Sequence, residues 1–236
     1  MPTAPCSVDP DPLAGDVDSP EIALSHLAAG GLVAFPTETV WGLAALARRP
    51  ESLEALLRWK GRGPAHPIAV LVTGPSEVER LGFEPGPVGR SLAAEFWPGP
   101  LTLVARPGAH ALRLAPGVAR DDGAVGFRCS SHPFAAALAR AAEARGLSPL
   151  TATSLNRSGA PPAGDRGAAH ALCRGPGAPL VWPSRGGDAL GEAPSTVVDV
   201  TGDRPVVLRA GAIAPERIES HGAAAAAPHS EESLDR

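Results

Sequence analysis

The sequence predicts an α/β domain, and two observations carry the prediction. Short apolar runs, LVAFP (32–36), IAVLV (68–72) and LTLVA (101–105), have the length and composition of buried strands. Between them lie stretches with apolar residues on one helical face, opened by prolines and closed by glycines. Hydrophobic residues are 44% of the 236, enough for a substantial core. Tyrosine is absent and aromatics are few, so that core must be mostly Leu, Val and Ala.

Residues 1 to about 18 read as a disordered, acidic, proline-rich tail. Ser19-Pro20-Glu21 has the pattern of an N-cap, a proline at the first helical position and an acid in the first turn. The helix that follows stops at Gly30-Gly31. LVAFP is the first strand, ended by Pro36. Thr37-Glu38-Thr39 then form a polar turn before the apolar VWGLAALA. Three polar side chains between buried strands either face a pocket or cap backbone groups of the turn. Pro50-Glu51 open a helix with Leu53, Leu56 and Leu57 on one face, and Gly61 is its natural stop. IAVLV is the next strand. GPSEVERL and GPVGRSLAAEF read as short helices, and FWPGP as a rigid turn whose aromatic pair packs in the core. LTLVA and VGFR (125–128) are strands. His132-Pro133 start a helix that Gly146 ends. PLTATS (149–154) reads as one strand, and a short helix falls around 166–173. PLVW, STVVDV and PVVLRA are three further strands whose short connections suggest a meander. The domain therefore spans 19–219, with 220–236 as a second disordered tail.

Composition excludes several classes. The net charge is −4 and the isoelectric point near 6.0, which argues against a surface coated in positive charge for nucleic acid. The three cysteines, Cys6, Cys129 and Cys173, are far apart and form no CxxC pair, so a zinc knuckle or disulfide framework is not expected. Free thiols fit a reducing, cytoplasmic setting. The N-terminus lacks the basic and apolar regions of a signal peptide, and no apolar run is long enough to cross a bilayer. There is no GxxxxGK[ST], no GxGxxG after a strand, no HExxH and no GxSxG.

What remains is a theme at strand and helix ends. Lys60 is the only lysine in a chain that otherwise uses arginine. A compact ammonium differs from a planar guanidinium, so a lone lysine marks a site with that need or is an accident of composition. Lys60 and Arg62 straddle a helix end, where they can converge on one anion or complement the helix dipole. Arg128 and Arg209 each close a strand. Ser154 and Asn156 sit at another strand end, where they can position a ligand or form a turn. Three arginines and a lysine in one cleft would repel each other without an anion, a polyphosphate first and a carboxylate second.

PTETVWGL, KGRGPAHPIAVLV, FWPGPLTL, VGFRCSSHP, TSLNRSG and STVVDVTGDRPVVLRAGAI together resemble, in the same order, the YrdC-like L-threonylcarbamoyladenylate synthases. The match covers roughly residues 20 to 218. The resemblance implies a single α/β domain, a twisted mixed sheet with flanking helices around a concave basic cavity. It implies an enzyme that uses L-threonine, bicarbonate or CO2, and ATP with Mg2+ to make threonylcarbamoyl-AMP and pyrophosphate. A separate tRNA-threonylcarbamoyl transferase complex would receive the product. By motif, Lys60 and Arg62 stand where the family holds the ATP phosphates and carry the catalytic role. His66, Ser154, Asn156 and Arg209 fall on the ATP side. Thr39, Arg128, Ala152 and Ser195 fall on the threonine side. No protein-bound metal is implied.

The chain departs from the family pattern at Trp41 (usually tyrosine), Gly63 (often proline), Leu71 (often histidine, near threonine), Ala124 (often threonine, near ATP) and Leu155 (commonly alanine). Two rival readings share the fold. Other carbamoyl-adenylate chemistries place the module beside extra domains and zinc-binding cysteine pairs, which this chain lacks. An RNA-binding member would use the concave surface for duplex RNA, against the net acidity.

Overall fold

Eleven short strands and seven helices follow one another through residues 18–63, 67–186, 191 and 193–226, which the computed structural model describes. Of the expected tails, 1–18 and 220–236, residues 1–17 and 227–236 lie outside the described residues, as does His66.

Helix α1 (Pro20–Ala28) begins where Ser19 Oγ accepts from the Glu21 N–H. Strands β1 (Val33–Phe35) and β2 (Gly42–Ala44) flank the polar turn, and α2 (Pro50–Lys60) ends at Gly61 in the left-handed region, φ 64°. Then come β3 (Val70–Leu71), α3 (Pro75–Arg80), β4 (Phe83–Glu84), α4 (Gly86–Phe96), β5 (Leu101–Pro107), β6 (Val125–Arg128) and α5 (Pro133–Ala144). The chain closes with β7 (Leu150–Thr151), β8 (Thr153–Ser154), α6 (Arg166–Leu172), β9 (Leu180–Val181), β10 (Thr196–Asp199), β11 (Val206–Arg209) and α7 (Pro215–Ala226).

The strands form two mixed sheets. The first has the order β8-β2-β1-β9, and the second β11-β10-β5-β6-β3-β7, with β4 beside β5. Two strand expectations are corrected here. PLTATS is not one strand: β7 pairs with β3 in the second sheet and β8 with β2 in the first, so the chain changes sheets at Ala152. The last three strands are not a meander. β9 runs parallel to β1, β10 runs parallel to β5, and only β10–β11 is an antiparallel neighbour pair. Helix α7 continues past residue 219 to Ala226.

Helices α1 and α5 bury Leu24, Leu27 and Leu138 with Val33, Phe35 and Trp182 of the first sheet. Helices α4 and α7 bury Leu92 and Ile218 against Leu101, Leu103 and Val198 of the second. A third cluster joins Trp41, Leu56, Val70, Phe127 and Leu155. These layers leave one face of the second sheet uncovered by helices. Its pairing puts Leu71, Arg128, Thr102 and Val197 in a row across β3, β6, β5 and β10. Because side chains alternate, residues two positions away on each strand, Ala69, Gly126, Val104 and Ser195, share that face. All eight line one cavity.

Candidate functional site

The cavity has a volume of about 570 Å³, within the usual size of small-molecule sites. Its floor is the row just described. Phe35, Gly42 and Ser154 of the first sheet, Thr37 and Thr39 of the polar turn, and Arg209 of β11 complete the wall. Glycine at position 42 lets Phe35 pack beneath the wall, since a Cβ there would lie 2.7 Å from its ring.

The turn at Gly61 sets the cationic end of the site. Gly61 N–H donates to Arg58 O and Arg62 N–H to Leu57 O, both at 3.1 Å, the paired bonds of a Schellman motif. This reversal sends the two basic side chains to different places. Arg62 lines the cavity. Lys60 does not: it is 2% exposed, and its ammonium donates to Ser154 O (2.6 Å), Asn156 O (3.2 Å) and Asn156 Oδ1 (2.9 Å). With these three acceptors its three N–H groups are used. Burial, then the charge of Arg62, pulls its pKa down to about 8.

Ser154 lines the cavity and donates to Asn156 Oδ1 at 2.8 Å. Asn156 itself sits behind the wall, with Nδ2 donating to Ala160 O at 2.7 Å. Ala152, at the change of sheets, lines the cavity, but its N–H donates to Ala69 O (2.7 Å) and is not available to a ligand.

At the other side, Arg128 and Glu38 form an ion pair at 2.6 Å, with side chains 7% and 10% exposed. Ser130 Oγ also bonds Glu38, and Arg128 Nη2 donates to Thr39 Oγ1 at 3.3 Å. Thr37 donates its hydroxyl proton to Val40 O (2.6 Å), so the 2.9 Å contact between Thr37 and Thr39 has Thr39 as donor. Burial lowers the pKa of Arg128 and Glu38 opposes that shift; a guanidinium remains charged. Ser195 Oγ lies 2.9 Å from Thr102 Oγ1 and accepts from Arg209 Nη2 at 3.1 Å.

Four arginines therefore line the cavity: Arg62, Arg120, Arg128 and Arg209. Arg120 is not among the residues that the sequence singles out. It pairs with Asp122 and, at 2.5 Å, with Asp199. Glu38 was legible only as a turn residue. Among the described residues, Arg62 and Arg209 have no carboxylate partner, and the buried Nε atoms of Arg62 and Arg128 have no hydrogen-bond partner. Among the described residues, no Asp or Glu lines the cavity. Unpaired guanidinium groups in such a wall favour an anionic ligand.

The departures separate by position. Leu155 is fully buried in the core beside Trp41, so both act in packing, while Trp41 also touches the cavity. Leu71 lines the cavity next to Arg128 and makes that wall apolar. Ala124 is buried and does not line the cavity, though its carbonyl accepts from the N–H of Arg120, which does, at 2.9 Å.

A family model covering Sua5, YciO and YrdC proteins, described as "Telomere recombination", matches residues 25–211. The chain belongs to this family. A putative threonylcarbamoyl-AMP synthase of Mycobacterium tuberculosis is 36% identical over 196 residues, 83% of this chain and 85% of that protein. The Bacillus subtilis threonylcarbamoyl-AMP synthase is 38% identical over 80% of this chain, which spans 52% of its length. Among solved structures, Pyrococcus abyssi Sua5 complexed with L-threonine superposes with a TM-score of 0.74 at 32% identity, over 87% of this chain and 58% of that one. Escherichia coli YciO superposes with a TM-score of 0.69 over 84% of this chain and 91% of its own; at 24% identity it speaks for the fold alone.

Proposed function

We propose that the protein is an L-threonylcarbamoyladenylate synthase, a transferase that moves an adenylyl group from ATP to the N-carboxylated amino acid. The observation that carries this reading is a cavity wall that, among the described residues, has four arginines and no carboxylate, with Arg62 and Arg209 lacking a carboxylate partner. Further support comes from the family membership and from relatives named for this activity. The L-threonine complex of Pyrococcus abyssi Sua5 supports an amino-acid site on this fold.

Arg128 and Thr39 hold the amino-acid carboxylate, and Ser195 its neighbouring polar groups. Arg62 and Arg209 hold the triphosphate, with Ser154 at its edge. Mg2+ enters on the phosphates of ATP; a wall of guanidinium and hydroxyl groups suits the anion and leaves the metal to the nucleotide. The amine of threonine forms a C–N bond to the carbon of CO2 and releases a proton. A carbamate oxygen then bonds to the α-phosphorus, and the bond to pyrophosphate breaks with its electron pair leaving on pyrophosphate. Arg62 neutralises charge building on the phosphates, and the rest is positioning. The product passes to a tRNA-threonylcarbamoyl transferase complex.

Pyrophosphate release by the purified protein with ATP, Mg2+ and bicarbonate tests this reading. It should require L-threonine and bicarbonate together. Release that is indifferent to the amino acid, or none from protein that binds ATP, overturns it.

A further inference from the structure

We propose that Lys60 acts on the nucleotide through the Ser154–Asn156 turn, as a positioning residue, and does not touch the phosphates. The inference rests on the ATP site proposed above and reassigns the residue that sequence alone puts at its centre.

The geometry is a tripod. Three acceptors, Ser154 O, Asn156 O and Asn156 Oδ1, converge on one nitrogen at 2.6–3.2 Å. An ammonium has three donors arranged about a point and meets all three; a planar guanidinium presents a fork and cannot. That accounts for a single lysine in a chain that elsewhere uses arginine. The same turn is tied to the helix end twice more. Ser158 N–H donates to Lys60 O at 2.7 Å. Arg157 bonds Trp59 O and lies 4.3 Å above the Trp59 ring centre. Asn156 relays the hold, since Oδ1 takes both the Lys60 ammonium and the Ser154 hydroxyl. Ser154, paired with Gly42 across the first sheet, is the member of this group on the cavity wall. Lys60 therefore fixes where the Ser154 hydroxyl stands, while Arg62, two residues on, supplies the charge that faces the ligand.

A double-mutant cycle separates this from direct contact. K60M, N156A and the double variant are compared for kcat, KM for ATP and ATP affinity by calorimetry, with hydrogen exchange of the 154–158 amides as a further readout. Each single change should lower kcat/KM by about 10- to 100-fold, and the double should fall no more than about threefold below the worse single. K60R should be as poor as K60M although it keeps the charge. Exchange at 154–158 should quicken in K60M and K60R, and stay as in wild type in R62A. Wild-type kcat/KM should fall above about pH 8, where loss of a proton leaves two donors for three acceptors, and K60M should lack that limb. Should K60M fail to fold, K60R with N156A completes the cycle. Losses that multiply in the double variant, or a fully active K60R, overturn the proposal. A wild type that binds ATP but releases no pyrophosphate overturns the reaction, while the cycle in ATP affinity still decides the role of Lys60. Absence of ATP binding overturns both.

Discussion

Replacing Glu38 by alanine leaves Arg128 as a buried cation without its counter-ion. The pair is close, 2.6 Å, and both side chains are nearly out of solvent. Removing one partner of such a pair costs about 3–5 kcal/mol, because the remaining charge stays desolvated. Arg128 keeps the Thr39 hydroxyl and opens on the cavity, so the lower figure, about 3 kcal/mol, applies. For a domain of this size that corresponds to a fall of roughly 6–12 °C in melting temperature. Differential scanning fluorimetry reads it directly. The same argument fixes a second result. A small carboxylate entering the cavity can replace the lost counter-ion, so acetate or threonine should raise the melting temperature of Glu38→Ala more than that of wild type. Glu38→Gln, which keeps an acceptor without the charge, should fall between the two. A melting temperature within 1 °C of wild type, with no added response to carboxylates, would refute the reasoning.

Arg62→Ala and Arg209→Ala should each raise KM for ATP by roughly 10- to 100-fold, the scale of a charge-assisted hydrogen bond, with KM for threonine much less changed; initial rates check this. Gly211→Ala should destabilise by about 1–3 kcal/mol. Its Cβ would lie 2.5 Å from the Ser195 carbonyl carbon and closer still to Pro194 O, backbone atoms that can yield only by moving Ser195, so urea unfolding and KM for threonine should change together. Burial alone would raise the pKa of Asp199, but Thr201 and Arg120 outweigh it and hold it low. Its contribution is therefore present above the unfolded carboxylate value near pH 4 and lost as pH falls through the folded value. Asp199→Asn should weaken the protein at neutral pH and flatten the loss of stability below about pH 4, measured by urea midpoints against pH.

The local signals were legible and the nonlocal ones were not. Gly61, Pro50 and Ser19 mark their helix ends in the sequence because capping is a matter of a few adjacent residues. PLTATS shows one unbroken β pattern, yet the chain changes sheets at Ala152; nothing in side-chain propensity records which strand a backbone will pair with. The same blindness made a meander of strands that pair with β1 and β5 instead. In α7 the alanines after Gly222 read as low complexity, though alanine is the best helix former. At the site, Arg62, Arg128, Ser195 and Arg209 stand out as charges or hydroxyls at the ends of elements. Arg120 lies in a loop beside two aspartates and looks like a solvated salt bridge. Lys60 is conspicuous in the sequence as its single lysine, but only the three converging acceptors show what its ammonium holds.

The most direct measurement is mass spectrometry of the product formed from ATP, Mg2+, L-threonine and 13C-labelled bicarbonate. The account predicts threonylcarbamoyl-AMP, heavier by one mass unit with the label, absent without threonine and strongly reduced in Arg62→Ala. ATP bound in the cavity with no carbamoyl adenylate formed, or an adenylate that carries no label, would contradict it.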